Sequence, residues 1–251
     1  MKKYIIANWK MNVNARKEAV KLGLATARLA QKYKKRTTII ACPSTVHISL
    51  LAKNTDYAPL FIGAQDITFH ESGAHTGETS PLALKDFGIK FSLIGHSERR
   101  AVGETSAVCA LKVRAAIAAG IQPILCIGEL ARDKKGGHYR FVEKQLRESL
   151  SGIPVLALRA LMIAYEPVWA ISSTQNAAEA TPEDIREMAL FIQKVLSDMY
   201  GTPKLPVRIL YGGSVNTQNA AEYSNIEGIS GLLVGSASLN PKSFEGIVAV
   251  V

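Results

Sequence analysis

Leu161-Met162-Ile163-Ala164 is a run of four apolar residues with no polar alternation, and the chain breaks from it at Tyr165-Glu166-Pro167. A strand with one wet face would alternate apolar and polar residues. An unbroken apolar run instead fits a strand buried on both faces of a parallel sheet. Downstream, Thr181-Pro182-Glu183-Asp184 carries the marks of a helix start: a capping hydroxyl, proline in the first turn, then acids near the positive end of the helix dipole. The same strand-then-helix unit recurs along the chain. Similar runs stand at Tyr4–Ala7, Thr38–Ala41, Leu60–Gly63, Phe91–Ile94, Pro123–Cys126, Val207–Leu210 and Leu232–Val234, which makes eight.

The intervening segments have helical periodicity. Over 15–35, Val20, Leu24, Ala27 and Ala30 recur at three- and four-residue spacing; over 104–119, Val108, Leu111, Ala115 and Ala118 do so, and Gly120 supplies a stop. Eight such units in 251 residues, with no Pro/Gly/Ser linker, predict one α/β domain over 1–251. Its fold class is a closed (β/α)8 TIM barrel of eight parallel strands. An open doubly wound sheet would more often carry G-x-G-x-x-G or a P-loop, and neither occurs.

Composition narrows the function classes. Hydrophobic residues at 47% and charged residues at 20% exclude a disordered chain. Cys42, Cys109 and Cys126 form no C-x-x-C pair, which points to a reduced, cytoplasmic setting. No long apolar stretch predicts a membrane span. The net charge of +9 attracts anions, whether nucleic acid or phosphorylated metabolites. Its densest run, Lys32-Tyr33-Lys34-Lys35-Arg36, is read as a solvated helix end rather than a nucleic-acid patch.

Barrel enzymes gather their chemistry at the C-terminal ends of the strands. Here those ends read Asn8-Trp9-Lys10, Cys42, Gln65-Asp66, His96-Ser97-Glu98, Cys126 with Glu129, Glu166, Tyr211-Gly212-Gly213-Ser214 and Gly235-Ser236. Each alone has a bland explanation; their convergence on one rim does not. The glycine-rich turns can present backbone N–H groups to a phosphate. Lys10 adds positive charge, Glu166 can act as a base, and His96 can polarise a carbonyl. This set suits proton transfer beside a carbonyl. It does not suggest hydride transfer, and no metal is expected, because the histidines at 47, 70, 75, 96 and 138 lack H-x-H or H-E-x-x-H spacing. His70 and His75 are read as loop residues.

At these residues the chain closely resembles the triosephosphate isomerase family. The motifs are Asn8-Trp9-Lys10-Met11-Asn12, Gly63-Ala64-Gln65-Asp66, Gly73–Glu78, Gly95-His96-Ser97-Glu98-Arg99-Arg100, Cys126–Glu129, Ala164–Ala170, Tyr211–Val215 and Leu233–Leu239, in order and over essentially the whole length. The resemblance implies interconversion of dihydroxyacetone phosphate and glyceraldehyde 3-phosphate without cofactor, metal, nucleic acid or membrane. It implies Glu166 as the base, His96 as a neutral electrophile, and Lys10 and Asn8 as groups holding substrate and enediolate. Ser172, Ser214, Gly235 and Ser236 become the phosphate contacts. A homodimer is implied through the Gln65–Glu78 loop, with Thr76 reaching the neighbouring site. Cys126 is expected to pack near the carboxylate, and Glu98 to act through a neighbour.

Two departures stand out. The family usually has Gly-Gly where this chain has Gly235-Ser236. After Glu166 it commonly reads Ile-Gly-Thr-Gly, whereas this chain has a longer lid, Ile171–Glu179, with no glycine. The changed lid leaves room for another phosphate-binding barrel isomerase or lyase. A basic nucleic-acid-binding barrel is the remaining alternative, and the intact Lys10, His96 and Glu166 set argues against it.

Overall fold

The computed structural model describes residues 2–52, 58–133, 135–171, 178–203 and 205–251. Eight parallel strands close into a barrel in sequence order. They are β1 (Lys3–Asn8), β2 (Thr37–Cys42), β3 (Phe61–Ala64), β4 (Phe91–Ile94), β5 (Gln122–Ile127), β6 (Met162–Tyr165), β7 (Arg208–Tyr211) and β8 (Ile229–Val234). All eight apolar runs fall on strands, with ends that differ by at most three residues and coincide for β4. The helices are α1 (Arg16–Tyr33), α2 (Thr45–Ala52), α3 (Pro81–Asp86), α4 (Ser97–Ala101), α5 (Ser106–Ala119), α6 (Gly137–Ser149), α7 (Pro182–Tyr200), α8 (Ala220–Asn225) and α9 (Pro241–Val250).

The helix signals read from sequence act as expected. Thr181 caps α7 in a reciprocal capping box with Asp184. Gly120 ends α5 in the left-handed conformation that glycine adopts without a Cβ penalty. The basic run closes α1, where Lys32 pairs with Glu245 at 2.8 Å and Arg36 donates to the Ala249 carbonyl. These cations are engaged by α9 rather than arrayed as a separate patch.

Strand side chains alternate between two cores, because successive residues of a strand point to opposite faces. Ile6, Ile40, Phe91, Leu93, Ile124, Cys126, Met162, Ala164, Leu210 and Leu233 fill the barrel interior. Ile5, Ala7, Ile39, Leu125, Ile163, Tyr165 and Leu232 face outward into the larger core under the helices. Every strand is therefore apolar on both faces, which is why the sequence showed runs instead of alternation.

Carried one step past the strand ends, the inward parity sets the site. Met162 and Ala164 point in, so the next inward residue is Glu166. Ile6 leads likewise to Asn8, Leu210 to Gly212 and Leu233 to Gly235. The interior is packed with side chains, and polar groups begin only where the packing ends at the C-terminal mouth.

Leu93 has no exposed surface and sits in the interior layer. Leu93→Ala should destabilise the fold by about 2–5 kcal/mol, the usual cost of emptying a rigid apolar site. A urea unfolding curve measures it, and an unshifted midpoint would mean the interior collapses around the gap.

Candidate active site

Glu166 leaves β6 with its amide bonded to the Ile127 carbonyl at 2.7 Å, so the barrel ladder extends one residue to hold it. Its side chain is buried, with 2% of the residue exposed. One carboxylate oxygen lies 3.3 Å from His96 Nε2; the other accepts the Ser97 amide at 3.3 Å. Burial pushes the carboxyl above the ordinary glutamate value; His96, the Ser97 amide and Lys10 pull the other way. A raised carboxyl is closer to the working range of a general base. Space for it depends on Gly212, where a Cβ would fall 2.8 Å from Glu166 Cγ.

His96 reaches the site through a backbone irregularity. Gly95 has φ +70°, and a Cβ there would meet Arg100 Nη2 and Cys109 Sγ, each at 2.8 Å. That turn breaks the strand alternation and swings His96 toward the mouth. His96 then caps the short α4, its Nδ1 accepting the Glu98 amide at 3.2 Å. An accepting Nδ1 places the ring hydrogen on Nε2, the nitrogen that faces Glu166; the tautomer is assigned from this network.

Lys10 is the only non-glycine residue with positive φ (49°) among the described residues. Such a conformation costs of order 1 kcal/mol and persists where surroundings over-determine it. Here the Lys10 amide donates to Asn8 Oδ1 at 3.0 Å, while its carbonyl accepts from Gln65 Nε2 at 2.8 Å and Ser44 Oγ at 3.1 Å. The Lys10 ammonium reaches Glu98 at 2.6 Å. Asn8 is buried beside it.

Asn8, Lys10, His96, Glu166, Gly235 and Ser236 share one cavity with Gly212 and Gly213. Ser236 opens a short 3-10 helix, Ser236–Leu239, so its amide lies in a first turn with no helical partner of its own. Its φ is not positive, and the serine stands where glycine is usual without strain. Ser214 differs: it lies beside this cavity but is not part of its wall, and its amide donates to the Ala170 carbonyl at 3.0 Å. Ser172 and most of the altered lid, residues 172–177, lie outside the described residues.

Both ends of that lid are tied down by hydrogen bonds to segments distant in sequence. At the leading end, buried Glu129 accepts from Tyr165 Oη and Trp169 Nε1, both at 2.9 Å, and Val168 N donates to its carbonyl. At the trailing end, Glu179 accepts from Asn219 at 2.8 Å, and Tyr223 Oη donates to the Ala180 carbonyl. Glu129 and Gln65 were visible as polar residues at strand ends. Their roles were not, since each acts on a segment distant in sequence. Cys126 packs beneath Glu166, its thiol pushed up chiefly by burial, and Glu98 meets the site through Lys10 and the His96 cap.

Comparison with known proteins bears on this geometry. The triosephosphate isomerase family model matches residues 3–251. The chain is 41% identical over 250 residues to the triosephosphate isomerase of Lawsonia intracellularis, covering 99% of this chain and 98% of that one. It is 40% identical over 251 residues to that of Moorella thermoacetica, with the same coverage, and 46% identical over 191 residues to that of Thermus thermophilus, covering 75% of each.

Glu166→Gln should stabilise the fold at pH 7. Burial holds the folded-state carboxyl above its ordinary 4.5, so the unfolded chain loses this proton first as pH rises. Ionisation therefore favours unfolding. The effect is absent well below 4.5, grows up to the folded-state value and stays constant above it. Urea midpoints of the two proteins should separate at pH 7 and converge near pH 4; the same gap at both would contradict the burial argument.

Proposed function

Because the chain belongs to the triosephosphate isomerase family, we propose that it interconverts dihydroxyacetone phosphate and D-glyceraldehyde 3-phosphate through an enediolate formed at the barrel mouth. The observation that carries this reading is the facing pair, a buried carboxylate 3.3 Å from an imidazole whose Nε2 bears its hydrogen. With a triose between them, Glu166 takes a proton from one carbon and returns it to the neighbouring one. His96 Nε2–H donates to the oxygen where negative charge develops, and Lys10 with Asn8 steadies that charge. Gly235 and Ser236 hold the phosphate by backbone N–H groups, joined by Ser214 and Ser172 when the lid closes. The whole barrel acts as one domain in the glycolytic and gluconeogenic interconversion, in the cytoplasm, its three cysteines buried and unpaired.

The cavity beside Glu166, of about 20 Å³, neighbours a second of about 220 Å³ that Asn8, Lys10 and His96 also line.

The same reading includes a homodimer through the Gln65–Glu78 loop. Its base is closed by Thr68 N bonding the Thr79 carbonyl, and residues 71–78 are all exposed, Thr76 among them. Around it, Met11 is 84% exposed, Val46 78% and Val102 73%, on the segments after β1, β2 and β4. Large apolar residues left this open on the half of the rim after β1 to β4 mark an interaction surface.

A coupled assay with glyceraldehyde 3-phosphate tests the reaction. Glu166→Asp should retain weak activity, the base being misplaced by one methylene, and Glu166→Gln should lose nearly all of it. Equal, near wild-type rates in both would remove Glu166 from its role. For the dimer, sedimentation at micromolar concentration should show two chains, and Met11→Lys combined with Val46→Lys should yield monomers of lower activity. A fully active monomer in the unsubstituted protein would refute it.

A further inference from the structure

Behind the catalytic carboxylate lies a second cavity, of about 280 Å³, walled by Ile127, Leu130, Phe141, Gln145 and Val168 with Arg100. Glu166 is the one residue that lines both this cavity and the substrate cavity, so its side chain is the partition between them. The rear cavity is the room into which that partition can yield.

The geometry points to the rear cavity as a binding site for a small neutral aromatic carbonyl compound that restrains Glu166 from behind. This builds on Glu166 being the base. Four features of the wall select the ligand. Its apolar atoms dominate, and Leu130 at 66% and Phe141 at 39% exposure leave an apolar mouth open to solvent. An aromatic ring of Phe141 offers a packing face. Gln145 is buried, and its Oε1 accepts the Gly128 amide at 2.9 Å, while its Nε2 has no hydrogen-bond partner among the described residues. That nitrogen is a donor for which a carbonyl is a fitting acceptor.

Charge is excluded on both sides. The Arg100 guanidinium is spent on the Gly95 and Cys126 carbonyls and Ser106 Oγ, at 2.7, 3.1 and 3.1 Å. An anion entering here would meet the buried Glu166 carboxylate, whose repulsion opposes the attraction of Arg100. A cation would leave water for an apolar wall beside Arg100. The volume suits a single ring with a short substituent and is too small for a peptide segment.

Acetophenone is the probe. Equilibrium binding followed by ligand-observed NMR should show saturable millimolar association that persists with inorganic phosphate present, because phosphate occupies the front cavity. Turnover should fall as the rear cavity fills. Phe141→Ala should weaken binding and inhibition together by at least tenfold while leaving unligated turnover unchanged, as Phe141 lies on the outer face of α6. Leu130→Glu, at an exposed position on the mouth, should do the same if Phe141→Ala folds poorly. Displacement by phosphate, equal affinity in the variants, or no binding up to the solubility limit would overturn the proposal. Binding without any effect on turnover would also overturn it, since the ligand would not restrain Glu166. Because binding is read independently of catalysis, a failure of the isomerase assignment would be recognised separately, by absent turnover in the unligated protein.

Discussion

Closure of the barrel with every strand in the same polarity is the constraint from which the rest follows. Alternating side chains fill the interior with Ile6, Ile40, Leu93, Met162, Leu210 and their neighbours, leaving no path through the axis. Chemistry is thereby confined to the mouth, where the inward parity continues beyond the strands to Asn8, Glu166, Gly212 and Gly235. Residues of opposite demand meet there: a carboxylate that needs room and glycines that concede it. The 2.8 Å approach that a Cβ at Gly212 would make to Glu166 shows how little slack remains.

Holding a carboxylate in that place is unfavourable, because burial penalises its charge. The site offsets the penalty with the Ser97 amide, the His96 ring and the nearby Lys10, without neutralising the group. Positive-φ backbone places two of these partners, at Gly95 just before His96 and at Lys10 itself. Gly95 turns the chain so that His96 faces inward, and Gln65 with Ser44 fixes the positive φ of Lys10. Strain near the reacting groups is sustained by hydrogen bonds from the segments after β2 and β3, so two neighbouring units of the barrel help orient one lysine.

The lid attachments follow a similar logic. Glu129 gathers Tyr165 and Trp169 on one side, while Asn219 and Tyr223 secure Glu179 and Ala180 on the other. The altered lid sequence runs between these anchors, whereas Ser236 stands apart from them after β8. A segment fixed at both ends can vary in length and composition at small entropic cost, since closure entropy rises slowly with length. The reacting residues and the hinges can therefore keep one geometry while the span between them changes.

The eight apolar runs, the Thr181 cap and the Gly120 stop were legible in the sequence because each is local. Burial on both faces erases alternation, and a helix end is decided within one turn. Glu166, His96, Lys10, Asn8, Gly235 and Ser236 were legible too, by their position after strands, and one cavity collects them. Other features depend on groups far apart in the chain and left no periodic trace. Glu129 could not be told from an ordinary loop acid until Trp169, 40 residues on, was seen to donate to it. The Ser214 amide, read as a phosphate contact, is bonded here to Ala170, a pairing between the segments after β6 and β7. The His96 tautomer rests on a hydrogen-bond direction, and the elevation of Glu166 on how completely the barrel excludes water around it. Residue type and spacing determined which groups reach the mouth; packing across the barrel decided their partners, their protonation and the room they have to move.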